Sequence, residues 1–263
     1  PSVSLIISTY NKPEALGAIL HAINRGLELP DEVIICDGGS GPETRAVVER
    51  WQDRLGCPLK HAWHEDQGFR KTCILNQGVA QATGDYVVFL DGDCVPTHKF
   101  VADHRKLAEP GTFVQGRRAF IVEEAVPEFL DGKPPAGLIF SGKVKGLLKG
   151  IRWPFPITLR NQKHRGLIGC NLAIWREDLV AVNGFDEAYE GWGMEDSDLC
   201  VRLYHLGRIR KFVYGRALVF HLNHPTVSRE SVSRNTERLR QVIASQTVRC
   251  ERGLDQYLKP AVS

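Results

Sequence analysis

Tyr86-Val87-Val88-Phe89-Leu90-Asp91-Gly92-Asp93 is a continuous apolar run that ends in two carboxylates separated by one glycine. An unbroken run of β-favouring residues fits a strand buried on both faces of a sheet, and in open α/β sheets ligands bind just beyond the carboxyl ends of such strands. Asp91 and Asp93 therefore stand where a ligand is expected. Two anions this close repel each other unless a cation joins them, so the pair suggests an oxygen-ligated divalent metal with phosphate oxygens on its far side. Taken alone, two acids after a strand also fit an ordinary solvated turn.

Working outward, the first hundred residues alternate strand and helix patterns. Val3 to Ser8 reads as a strand. Pro13 suits the first turn of a helix whose Leu16, Ile19, Leu20 and Ile23 follow helical spacing. Val33 to Cys36 is a second strand, followed by Asp37-Gly38-Gly39-Ser40 and by a helix from Pro42 with Val47, Val48, Trp51 and Leu55 inward. A third strand at Leu59 to Trp63, a helix over Phe69 to Ala82 and a turn at Gly84-Asp85 lead into the opening strand. This rhythm predicts an α/β fold with a mostly parallel central sheet flanked by helices.

From Gly116 the rhythm breaks. Residues 123–166 carry Lys133, Lys143, Lys145, Lys149, Arg152, Arg160, Lys163 and Arg165, interleaved with Phe140, Leu147, Leu148, Ile151, Trp153 and Phe155. The stretch reads as a long loop or short helices. It is either a plain basic surface or a binding face for an anionic or membrane-embedded acceptor. Leu179 to Asn183 ends at Gly184 as a helix would, and Asp196 to Leu206 is a helix with Leu199, Cys200 and Leu203 inward and Gly207 as its stop. Short strands are expected at Arg210 to Tyr214 and Ala217 to Phe220. The charged tail from Ser228 to Gln256 reads as a docked amphipathic helix.

The bulk properties narrow the class. The chain has 263 residues, 43% hydrophobic content and a net charge of +3, which fits a globular core and does not point to nucleic acid. Its seven cysteines (Cys36, Cys57, Cys73, Cys94, Cys170, Cys200 and Cys250) are scattered without C-x-x-C spacing, as expected for reduced thiols in the cytoplasm. No apolar run reaches the roughly 18 residues of a membrane span, so a soluble or peripheral protein is expected. Because the chain opens on Pro1, the lack of a leader carries little weight.

A second acidic constellation lies in Gly191-Trp192-Gly193-Met194-Glu195-Asp196-Ser197-Asp198-Leu199. Acids at the start of a helix are often only stabilising, through the helix dipole. A tryptophan between two glycines is harder to explain that way. It offers a flat face on which a sugar ring packs, beside a carboxylate able to accept a hydroxyl proton.

Taken in order, Ser8-Thr9-Tyr10-Asn11, Cys36 to Ser40, Asp66-Gln67-Gly68-Phe69-Arg70, Asn76, Gly84-Asp85-Tyr86, Asp91-Gly92-Asp93, Gly169-Cys170-Asn171 and Gly191 to Leu199 resemble the family-two glycosyltransferases of GT-A fold. The Gly-Trp-Gly-x-Glu-Asp stretch resembles in particular a motif of galactosyltransferases and chondroitin-type polymerases. The resemblance implies one GT-A domain over 1–263, with a nucleotide-sugar half at 1–118, an acceptor-binding and catalytic half at 119–227 and a helical tail at 228–263. It implies that Thr9, Asp37 and Arg70 contact the nucleotide, that Asp91 reaches the ribose or a metal-bound water, and that Asp93 ligates the metal. It further implies Asp196 as catalytic base, Glu195 and Trp192 as acceptor-binding residues, and His221 as a late metal ligand for which His224 competes. An imidazole beside carboxylate and phosphate oxygens favours Mn²⁺, with Mg²⁺ as the alternative. Two positions depart from the family pattern. Gly38 stands where a second acid is usual, and Leu75 where many members have arginine.

The implied activity is inverting transfer of a hexose or N-acetylhexosamine from a UDP-sugar to a hydroxyl of a glycan or glycolipid, in cell-surface polysaccharide or lipopolysaccharide assembly. A peripheral position at the cytoplasmic face of the inner membrane would suit such an acceptor. Rival readings are a sugar-phosphate nucleotidyltransferase, for which Ser8-Thr9-Tyr10-Asn11-Lys12 makes a poor phosphate loop, and a non-catalytic glycan- or membrane-binding module.

Overall fold

The computed structural model describes residues 1–152, 154, 157–224 and 230–258; Trp153 and Phe155 of the basic region, and Ser228 at the head of the expected tail, lie outside the described residues. The first half follows the α/β rhythm. Strands β1 (Val3–Thr9), β2 (Glu32–Asp37), β3 (Leu59–Trp63) and β4 (Tyr86–Asp91) alternate with helices α1 (Pro13–Asn24), α2 (Pro42–Gln52) and α3 (Lys71–Gln81). All four strands run parallel in the order β3-β2-β1-β4.

The unbroken apolar run of β4 has a direct cause. Val88 and Leu90 join Leu5, Ile7, Val33 and Ile35 in a core under α1 and α2. Val87 and Phe89 join Ile6, Ile34 and Cys36 in a second core under α3. Both faces are covered, so both parities are apolar. The register pairs Ser8 with Asp91 and Thr9 with Asp37, which sets these residues flush at one edge of the sheet.

The rest of the chain extends this sheet and adds a smaller one. In chain order come β5 (Cys94–Pro96), α4 (Phe100–Leu107), β6 (Thr112–Gln115), β7 (Arg117–Ile121), α5 (Val126–Leu130), α6 (Pro135–Phe140), β8 (Val144–Lys145), β9 (Thr158–Asn161) and β10 (Asn171–Trp175). Then follow α7 (Arg176–Val182), α8 (Glu195–His205), β11 (Ile209–Val213), β12 (Leu218–Leu222) and α9 (Val232–Ser245). The large sheet has the order β3-β2-β1-β4-β10-β6-β11-β9 and the small one β5-β12-β7-β8. Strand β10 runs antiparallel to both of its neighbours, β4 and β6.

The basic stretch holds more regular structure than its composition suggests: β8 closes the small sheet and β9 is an edge of the large one. Helix α3 begins at Lys71, two residues after the expected start, and Phe69 is exposed. Of the expected tail helix, Val232–Ser245 forms α9 and packs on α8, whereas the helix ends at Ser245 and Leu254 beyond it is buried in the core. All seven cysteines are free thiols. Among the described residues no helix is long and apolar enough to cross a membrane.

Candidate active site

Asp91-Gly92-Asp93 turns tightly over the end of β1, where a Cβ on Gly92 would lie 2.4 Å from the Ser8 carbonyl oxygen. Only glycine fits there. The turn sends the two carboxylates to different partners. Asp91 Oδ1 accepts from Ser8 Oγ at 3.1 Å and from Lys71 Nζ at 2.5 Å. Asp93 Oδ2 lies 3.2 Å from Lys12 Nζ and 3.0 Å from His224 Nε2, while Asp93 Oδ1 lies 3.7 Å from His221 Nε2.

The small sheet delivers the histidines. Strand β12 pairs antiparallel with β5, putting His221 opposite Cys94, and the Leu222 amide donates to the Asp93 carbonyl at 2.8 Å. Burial opposes ionisation of Asp93, but the His224 hydrogen bond, His221 and Lys12 outweigh it and hold the carboxyl well below the usual carboxylate range. Burial pushes the His221 pKa down against the pull of Asp93, which favours the neutral, ligating imidazole. Asp93, Cys94 and His221 can each offer a ligand atom within 4.8 Å of one another. Burial pushes the Cys94 thiol up; the Asp93 carboxylate with the two imidazoles is the harder donor set and the one that suits an ion shared with phosphate oxygens. The sequence posed His221 and His224 as alternatives; the fold brings both to Asp93, with rings 6.0 Å apart and tilted by 22°. A cleft of about 180 Å³ lined by Asn11, Lys12, Asp93 and His224 opens beside them.

Farther along the same edge, Thr9 is buried with a hydroxyl that lacks a partner. Asp37 is buried and satisfied within the fold: Oδ1 accepts the Ser40 amide at 2.8 Å and Oδ2 faces His61 Nε2 at 3.2 Å. Burial raises its pKa, and the His61 and Ser40 contacts more than cancel that, leaving it below the usual carboxylate value. Arg70 reaches Glu190 at 3.8 Å, at the foot of the Gly-Trp-Gly loop.

That loop is built from left-handed residues: Gly191, Gly193 and Met194 have φ of 73°, 105° and 74°. Its ends are tied down by hydrogen bonds, from the Gly191 amide to the Phe69 carbonyl at 3.2 Å and from Asn235 on α9 to the Gly193 carbonyl at 2.9 Å. Trp192 is 40% exposed. Helix α8 then opens with Glu195 and Asp196. Asp196 Oδ2 accepts the Gly169 amide at 2.6 Å, and Oδ1 accepts the Ser197 amide at 2.7 Å. Burial pushes its pKa up, against the nearby Lys71 ammonium and these two amides. Glu195 is 7% exposed with Oε2 unpartnered; burial, then the Asp196 charge, push its pKa to about 7.

The third acid of the cluster separates from the other two. Asp198 forms a fully buried pair with Arg202, at 2.6 Å and 2.8 Å, and Arg202 also caps the Val182 carbonyl at 2.6 Å. It belongs to the architecture of α8. Sequence reasoning missed Lys12 and Lys71, which occupy the two aspartates of the β4 turn. No spacing marks a lone lysine, and Lys71 stands beside an arginine that drew the attention.

The glycosyl transferase family 2 profile matches residues 4–177, and a second profile, described as the N-terminal domain of galactosyltransferase, matches residues 159–225. Chondroitin synthase of Escherichia coli is 25% identical over 248 residues, covering 87% of this chain and 36% of the relative. TarS 1–349 of S. aureus, solved with UDP-GlcNAc, superposes with a TM-score of 0.69 at 16% identity over 98% of this chain and 69% of that one. GalNAc-T7, solved with UDP, GalNAc and Mn²⁺, superposes with a TM-score of 0.68 at 15% identity over 92% of this chain and 48% of that one. The chain spans between a quarter and a half of the length of the sequence relatives first in rank. The shared architecture is the GT-A fold. With a family profile running from the first strand through β10, this protein belongs to glycosyl transferase family 2.

Proposed function

We propose that the chain transfers a hexose or N-acetylhexosamine from a UDP-sugar to a hydroxyl of a glycan or glycolipid, with inversion at the anomeric carbon. The observation that carries the reading is that the Asp91-Gly92-Asp93 turn, which presents Asp93 to His221 and His224, bonds through the Asp91 amide to Cys170, the residue after the Gly169 whose amide holds Asp196. Residues 1–118 supply most of the donor site, residues 119–227 the base and both histidines, and residues 228–263 the helical support. Thr9 and Asp37 line the edge for the base and ribose, Asp91 serves the ribose or a metal-bound water, and Arg70 offers a cation at the rim.

Asp93, His221 and His224 would hold the divalent ion, Mn²⁺ by donor chemistry, which when bound offsets charge developing on the departing diphosphate. Asp196 takes the proton of the attacking hydroxyl. Its two amide donors, Gly169 and Ser197, fix the carboxylate, and the neighbouring Lys71 favours its charged form. Glu195, buried with an open oxygen, accepts a hydroxyl of the acceptor, and Trp192 packs on its ring, in the manner of the galactosyltransferase and chondroitin-polymerase motif. One displacement from the face opposite the diphosphate turns an α-linked donor into a β-glycoside.

An acceptor at a membrane surface fits the charge distribution. From Gly132 to Arg176 the sequence holds nine lysines and arginines and no acidic residue, and of these Lys133 and Lys143 pair with Glu128, Arg152 with Asp103 and Arg160 with Glu109. Within that stretch Phe140 is 91% and Leu148 81% exposed. We read this face as a peripheral contact with anionic lipid at the cytoplasmic side of the inner membrane.

The test is calorimetry against UDP and UDP-sugars with and without Mn²⁺, paired with turnover of Asp196→Asn. Metal-dependent binding that survives Asp196→Asn while turnover vanishes supports the assignment. Near-normal turnover of the variant removes Asp196 from the role of base.

A further inference from the structure

Lys71 stands at a place where helix physics disfavours a cation. It is the first residue of α3, at the positive end of the helix dipole, where acids are preferred. A local rule broken in this way is often compensated at a functional site. Here the compensation is visible: Nζ lies 2.5 Å from Asp91 Oδ1, which Ser8 Oγ also holds. The side chain is only 22% exposed.

The backbone brings the second acidic motif to the same ammonium. Gly169 donates to Asp196, and the next residue, Cys170, accepts the Asp91 amide at 3.1 Å. Asp91 and Asp196 thus hang from consecutive residues of one segment. On the other side, the Gly191 amide bonds the Phe69 carbonyl, tying the residues ahead of Lys71 to the loop ahead of Glu195. Asp91, Glu195 and Asp196 all act electrostatically on Lys71. Without a cation beside them, the Asp91 and Asp196 carboxylates would drive each other apart, more strongly as substrate excludes water.

We propose that Lys71 is a positioning residue for sugar transfer: its ammonium pairs directly with Asp91 on the donor side, and its charge, set beside the segment that carries Asp196, holds the acceptor-side acids at a fixed gap across which the sugar moves. This rests on the assignment of Asp196 as base. Lysine suits the task as a compact charge on a flexible stem, able to serve several carboxylates. Arginine would keep the charge but commit a planar fork to one of them.

The experiment compares the full chain with Lys71→Met, Lys71→Arg and Asp196→Asn. The readouts are UDP release from UDP-glucose, UDP-galactose, UDP-GlcNAc and UDP-GalNAc, calorimetry of UDP with Mn²⁺, and thermal melting. For Lys71→Met, kcat is expected to fall about 30-fold or more while KM and UDP affinity stay within about threefold; Lys71→Arg should fall between the two. A purely structural role would instead lower the melting temperature and leave kcat of the folded fraction intact. Should Lys71→Met not fold, Lys71→Gln carries the same expectation. Unchanged kcat, or a loss carried wholly by UDP affinity, overturns the proposal. If Asp196→Asn abolishes release while Lys71→Met is silent, the positioning role alone fails. If Asp196→Asn is silent, the base assignment fails and the positioning role with it.

Discussion

Gly169→Ala is a sharp test of the geometry around Asp196, because it adds one methyl group and removes no polar contact. A Cβ at this position falls 2.5 Å from Asp196 Cβ and 2.8 Å from Asp196 Oδ2, against ordinary contact beginning at 3.4 Å. The aspartate must therefore retreat by about 1 Å, a displacement that can cost about a hundredfold in rate when the group is catalytic. Gly169 is not among the glycines of positive φ, so alanine meets no backbone strain there. Its stability cost is the overpacking itself, about 1–3 kcal/mol. UDP release from a UDP-sugar, measured beside thermal melting and UDP calorimetry, separates these effects. The expected result is a folded protein with near-parental UDP affinity in Mn²⁺ and turnover reduced about a hundredfold. Parental turnover together with a parental melting temperature would refute the reasoning, since the methyl group would then have been accommodated without moving Asp196.

Asp93→Ala is expected to abolish Mn²⁺-dependent UDP binding by calorimetry, whereas His221→Ala and His224→Ala singly should weaken it without abolishing it, because each leaves the carboxylate and one imidazole. Arg202→Met leaves Asp198 buried without its partner, and urea denaturation should show a loss of about 3–5 kcal/mol. The raised Glu195 pKa sets a pH dependence of known sign. Above the ordinary glutamate range the folded state holds a proton that the unfolded state has released, so this residue's contribution to stability falls as pH rises toward about 7. Glu195→Gln should flatten that decline in denaturation curves taken from pH 4.5 to 8.

The first half of the fold was legible because both faces of its strands are covered. Val3, Val33 and Tyr86 open apolar runs that can only be buried strands, and Pro13 and Pro42 mark helix starts within the first turn. Strands β5 to β10 were hidden for the opposite reason. β8 has two residues, β9 is exposed along most of its length, and β10 is short and antiparallel in a sheet read as parallel. Their pairing is set by distant partners, which no local pattern records. In the candidate site, the motifs pointed to residues that the fold sets near one another, such as Asp93 with His221, but not to the lysines on Asp91 and Asp93, since each is a contact between remote segments. The acidic run at 195–198 also read as one cluster, and only the buried Arg202 shows that Asp198 is part of the scaffold.

The amide of Asn235 is completely buried and bonds the carbonyls of Glu190 and Gly193, while Ser231 presses against Gly191. The pin is synthesised after the loop it secures. During translation the Gly-Trp-Gly segment leaves the ribosome with its carbonyls still open to water, and it acquires its final shape only when α9 has emerged and docked. Asn235→Ala should therefore bind UDP with Mn²⁺ like the parent chain yet turn over poorly. The shape of the Gly-Trp-Gly loop thus waits on a helix that the chain makes after it.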